Sequence, residues 1–193
     1  MIQKYYAGKS IEVANYFVKT IDKESDDFAL KNLCYASSCL ELGDIRRAIE
    51  ALGRASEIAD NIDLSGVGLS FVFSEENKVM QGDPYERSTA HLYRGIILYN
   101  LGLKEKSKSH LNNARASFRK ALEHDKATGN ELFREDFALA HYMLGKTFLL
   151  LGDEENAKIA FKKAQEVYPE NAYLDFNENK RNNFTILIGA GKG

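Results

Sequence analysis

Three stretches of the chain set apolar and small residues on a helical face, break at a glycine, and then resume the same pattern. In the last stretch His141, Leu144, Gly145 and Phe148 recur at three- and four-residue spacing. Leu151-Gly152-Asp153 interrupts them, and Ala157, Phe161 and Ala164 follow before Pro169. The middle stretch runs Gly95, Leu98, Leu101-Gly102, Ser107, Leu111 and Ala114. The first runs Tyr35, Ala36, Cys39, Leu42-Gly43-Asp44, Ala48, Leu52 and Ala55. This spacing is that of an amphipathic helix, and a glycine just past the last periodic residue is a stop signal. Each stretch predicts two helices joined by a tight corner.

The residue types fit that reading. Small residues at Ala36, Gly95 and Gly145 let paired helices approach closely, and Leu52, Leu111 and Phe161 are expected to fill the gap between repeats. Gly43, Gly102 and Gly152 are expected at the corners, where glycine takes the left-handed conformation at low cost. Asp44 and Asp153 follow at once and can cap the next helix. Gly8 lies 35 residues before Gly43 and is followed by Val13, Ala14 and Phe17, which predicts half of a further pair.

These residues resemble the tetratricopeptide repeat, whose period is roughly 34 residues. The last stretch follows its pattern nearly throughout. Asn32, His91 and His141 stand where the pattern has Trp, and Arg94 where it has Leu. The resemblance implies an all-α, right-handed solenoid of helical hairpins over residues 1–182. Its repeats are expected near 5–20 (half), 28–60, 85–128 and 133–169, with an insert at 61–84. It also implies a scaffold that binds a protein or peptide through a concave groove. The run Gln81 to Arg87 with His91, Tyr93 and Leu101-Gly102 is similar to a set of bacterial tetratricopeptide proteins, many with a lipoprotein leader. That likeness implies a cell envelope or periplasmic location if a leader has been removed, and a cytoplasmic one otherwise.

Two segments depart from the frame. Residues 61–84 hold Gly66, Gly68, Gly82 and Pro84 around an apolar patch, Leu69 to Phe73, read as a short helix or loop against the array. After Gly102, Leu111, Ala114, Phe118, Ala121 and Leu122 share one face of a helix expected from about Lys104 to Thr128, roughly 37 Å long. Residues 183–193 form a strand-like tail, Phe184 to Ile188, which needs a partner strand. It predicts a chain continuing into a following unit. The start, Met1 to Tyr6, lacks the apolar core of a secretion signal and opens almost directly into a repeat, which predicts a leader removed upstream.

Composition narrows the function. With 44% hydrophobic and 28% charged residues in 193, the chain can bury a core, and only two prolines interrupt its helices. A formal net charge of -2 gives no general attraction to nucleic acid, and no apolar run is long enough to span a bilayer. Cys34 and Cys39 lie five apart on one predicted helix, a poor geometry for a disulfide, and read as small buried hydrophobes. The four histidines form no metal-ligand motif, and no Ser, Cys or Thr sits in a nucleophile motif. The Gly189 to Gly193 tail misses the phosphate-loop spacing. No catalytic residue, metal or cofactor is therefore expected.

Counting from the glycine corners, Leu33, Ser37 and Leu40 are expected to line the groove. With them go Leu92, Ile96 and Tyr99, then Tyr142, Lys146 and Leu149. This lining is apolar and aromatic, with Lys146 its one cation. It suits an apolar peptide, or is filled by Leu69 to Phe73 or Phe184 to Ile188 of the same chain. A self-assembling subunit, and a helical domain accessory to a larger protein, are the competing readings.

Overall fold

The computed structural model describes residues 8–22, 27–61, 84–126 and 137–169. Among these residues there are seven helices and no strand: α1 Ser10–Thr20, α2 Phe28–Glu41, α3 Ile45–Asn61, α4 Pro84–Lys104, α5 Lys108–Lys126, α6 Ala138–Leu151 and α7 Glu154–Val167. Each described helix packs on its neighbours in the chain, as an array of successive hairpins must. The apolar segment Leu69 to Phe73 and the strand expected at Phe184 to Ile188 lie outside the described residues.

Two of the three corners have the expected chemistry. Gly43 and Gly152 take φ of +72° and +83°. The N–H of the next residue reaches back to the helix before it, Asp44 to the Cys39 carbonyl at 2.8 Å and Asp153 to Phe148 at 2.9 Å. The same aspartates then start the following helix. Asp44 Oδ1 accepts from Arg47 N–H at 3.1 Å, and Asp153 Oδ1 from Asn156 N–H at 3.2 Å. The glycine ends one helix and the aspartate after it begins the next, so two adjacent residues turn the chain through a corner.

The middle corner corrects the sequence expectation. Gly102 is not at the turn; it lies inside α4, and the left-handed residue is Lys106 at φ +50°. Ser107 makes the backward bond, to the Gly102 carbonyl at 3.0 Å, and its hydroxyl accepts from His110 N–H at 3.3 Å. The left-handed residue stands nine positions before Leu52 and Phe161 but five before Leu111. The corner has slid by about one helical turn, lengthening α4 at its end and shortening α5 at its start. The long helix expected from Lys104 accordingly begins at Lys108 and spans about 28 Å to Lys126.

Gly102 has a packing role instead. A Cβ on it would stand 2.6 Å from Leu111 Cδ2, and a Cβ on Gly95 would stand 2.5 Å from Phe118 Cε1. Gly95 and Gly102 are seven residues apart, as are Leu111 and Phe118, so α4 and α5 run antiparallel with two side chains seated on two glycines. In α6 and α7 the equivalent contact is Gly145 with Phe161. Frame position alone pairs Gly95 with Leu111. The slid corner moves the contact on to Phe118, one heptad along.

Two apolar clusters result. One joins α4 to α7 around Phe118, Met143, Phe148 and Phe161; the other joins α1, α2 and α3 around Tyr35, Ala36, Cys39 and Leu52. Ile97 of α4 belongs to the second cluster while Leu98 and Tyr99 belong to the first, and Ile49 of α3 touches both. Helix α4 thus joins the two halves. Ser10 Oγ donates to the Glu41 carboxylate, tying α1 to the end of α2.

Candidate functional site

Leu33, Ala36, Ser37 and Leu40 repeat at three and four residues and so share one stripe of α2. That stripe faces Leu52 of α3 and Thr89, Ala90 and Tyr93 of α4 across a cleft of about 350 Å³. Ala36 and Ala90 keep the floor low, and both are buried. Tyr93 stands at the mouth with 44% of its surface exposed. Ser37, Thr89 and Tyr93 carry the hydroxyls of an otherwise apolar lining. The volume is at the small end for ligand pockets, enough for a few apolar side chains and too small for a folded element.

Helices α2 and α3 are also cross-linked by a polar pair, Asn32 and Arg54. Asn32 fills the slot where Trp was expected; its amide donates to the Phe28 carbonyl at 2.9 Å and its Oδ1 accepts from Arg54 Nε at 2.8 Å. A satisfied side chain there ties α2 to α3 without the bulk of an indole.

The structure brings Leu33, Ser37 and Leu40 together in this cleft and distributes the other expected residues elsewhere. Leu92 and Tyr99 are each only 5% exposed and belong to the core of the α4–α7 half. Ile96, Tyr142 and Leu149 are half-buried against the same core, Tyr142 edge-on to Phe161 with ring centroids 5.5 Å apart. Burial pushes the Tyr99 phenol up to about 12, with the nearby Tyr142 phenol adding to it. Burial also raises Tyr142 and lowers the Lys146 ammonium, since each charged form loses water.

Thr89, Ala90 and Tyr93 are cleft residues that the sequence frame did not select. Thr89 and Tyr93 are four apart and form a stripe of their own. Anchoring α4 on Gly102 picked Leu92, one residue from Tyr93 and about 100° around the helix, and Ile96, three residues on and about 60° around it on the same side as Leu92. The signal that could have found them is Tyr93 itself, a large aromatic outside the predicted core stripe.

The chemistry elsewhere is that of packing. His91, equivalent in the frame to Asn32, is buried and stacks on His124 of α5, centroids 5.1 Å apart and planes within 15°. Cys34 and Cys39 are free thiols, and burial raises both. Among the described residues no group of three or more His, Cys, Asp or Glu side chains is placed to hold a metal ion, and no helix is long and apolar enough to cross a membrane.

Residues 138–171, which contain α6, α7 and the Gly152 corner, match the model of the tetratricopeptide repeat. No curated protein matches the chain.

Proposed function

We propose that this chain, whose last helical pair matches the tetratricopeptide-repeat model, is a protein-interaction module that receives an apolar peptide segment in the α2–α3–α4 cleft. The repeat itself supports protein–protein interaction as the general role. The cleft between Leu33, Ser37, Leu40 and Tyr93 carries the finer reading, because it is an open apolar concavity between helices that are otherwise closely packed. An extended or helical segment lays one or two Leu, Ile or Phe side chains on Leu33, Leu40 and Leu52. Tyr93, at the mouth, closes over them. The reading assigns no catalytic step to this chain.

A random peptide library displayed on phage and selected on the intact chain tests this. The selected peptides carry paired apolar residues, and they lose binding to Ser37→Trp, which fills the cleft from a half-buried position. Failure to enrich any sequence, or equal binding to a folded Ser37→Trp chain, contradicts the reading.

A second reading, self-association, is favoured by α1, where Ile11 and Val18 lie seven residues apart on one flank at 63% and 52% exposure. Light scattering across a dilution series decides it, since a mass independent of concentration excludes it. A cell-envelope location belongs to the proposal as well, and membrane fractionation of cells expressing the full gene checks it.

A further inference from the structure

Helix α5 carries a row of cations that the cleft does not use. Lys108, Arg115, Arg119 and Lys126 recur at intervals of seven, four and seven residues, so they lie on one stripe of the helix. Their Cα positions span about 27 Å. The two central ones are held in place by the next helix. Arg115 Cζ lies 6.0 Å, and Arg119 Cζ 5.6 Å, from the centroid of the Phe148 ring of α6. Phe148 is itself buried in the core, so the ring is a fixed platform.

Two guanidinium groups gathered on one ring repel each other unless an anion lies between or across them. Among the described residues neither Arg115 nor Arg119 forms an ion pair with a carboxylate. The neighbouring α5 ion pair, Lys120 with Glu123 at 3.4 Å, leaves them out. A guanidinium resting over an aromatic ring is restrained there by a cation–π attraction, and its five N–H donors remain suited to bidentate carboxylate recognition.

We propose that this stripe is a second interaction surface, which takes an acidic protein segment, with Arg115 and Arg119 as its central clamp. Spacings of four and seven residues recur on one face of any α-helix, so an acidic helix with glutamates at those intervals matches the row without distortion. A protein partner is favoured over a nucleic acid. Glu105 and Glu123 on and beside α5 are exposed and flank the row, and they oppose a continuous phosphate backbone more than a segment with discrete carboxylates. The surface is independent of the cleft, which lies on α2, α3 and the first half of α4.

The test is fluorescence anisotropy with two labelled probes, a synthetic helix bearing glutamates at four- and seven-residue spacing and a DNA duplex of mixed sequence. The acidic helix is expected to bind the intact chain with an affinity that falls as salt rises. Arg115→Gln with Arg119→Gln is expected to weaken it about tenfold or more, a loss of two charge-assisted contacts. Lys162→Gln with Lys163→Gln on α7, another exposed basic pair, leaves binding unchanged. Arg115→Lys with Arg119→Lys keeps the charge but not the forked donors, and falls between. All variants are compared at equal helicity by circular dichroism. Equal loss in the α7 variant, full binding by the Lys pair, tighter binding of the duplex, or no binding of the acidic helix overturns the proposal.

Discussion

The ring of Phe118 lies on Gly95 so closely that a Cβ there would stand 2.5 Å from Cε1 and 2.7 Å from Cδ1. Phe118 is fully buried and cannot swing to solvent. Gly95→Ala is expected to destabilise by about 1–3 kcal/mol through overpacking, less the roughly 1 kcal/mol that alanine gains in a helix. Urea unfolding measures it. Phe118→Leu should make the same Gly95→Ala change less costly, because the contacts couple. Strict additivity of the two changes contradicts the contact.

Lys106 performs with a Cβ what Gly43 and Gly152 perform without one, at φ +50°. Lys106→Gly should stabilise by about 1 kcal/mol, the order of the left-handed penalty, while Gly43→Ala and Gly152→Ala should each destabilise by a similar amount. Thermal melts of the three variants check the opposite signs. A destabilised Lys106→Gly chain shows that the middle corner is not where the structure puts it.

Asp153→Ala removes a cap whose carboxylate accepts two bonds, from Asn156 N–H at 3.2 Å and from the Asn156 side-chain amide at 2.8 Å. A loss of about 1 kcal/mol is expected, and Asp153→Asn should recover most of it. Hydrogen exchange reads the effect locally, as faster exchange in the first turn of α7.

Alkaline pH should act through Tyr99 and Lys146 in opposite senses. The Tyr99 phenol is raised from 10.0 to about 12, so the folded chain holds that proton more tightly than the unfolded chain. Its contribution is complete below pH 10 and is lost as the pH rises towards 12. Lys146 is lowered from 10.5, so its burial opposes folding at neutral pH and that opposition is relieved as the pH rises towards 10.5. Urea midpoints followed upward in pH should fall less steeply above pH 10 for Tyr99→Phe. They should rise less before that point for Lys146→Met. Identical profiles for Tyr99→Phe and the parent chain contradict the burial of the phenol.

The helical pairs and two corners were legible because their signals are local. Gly43 with Asp44 and Gly152 with Asp153 each end one helix and start the next within two residues. The middle corner was not, because Leu101-Gly102 repeats the same letters while a lysine takes the turn. That choice depends on how α4 seats on α5, which is set by Phe118 far along the chain. The cleft was legible on one side only. Leu33, Ser37 and Leu40 follow from the correctly placed Gly43 corner, whereas Tyr93 and Thr89 depend on the rotation of α4, for which Gly102 was a misleading anchor. Nothing in the frame marked Arg115 and Arg119, since their platform, Phe148, belongs to the next pair.

The most direct measurement of the central claim is a map of amide chemical shifts on titrating a library-selected apolar peptide into the labelled chain. Shifts gathered at Leu33, Ser37, Leu40, Thr89 and Tyr93, saturating together, are the predicted result. Shifts centred on Tyr142, Lys146 and Leu149 with the α2 stripe unmoved would place the docking surface at the other end of the array and contradict it.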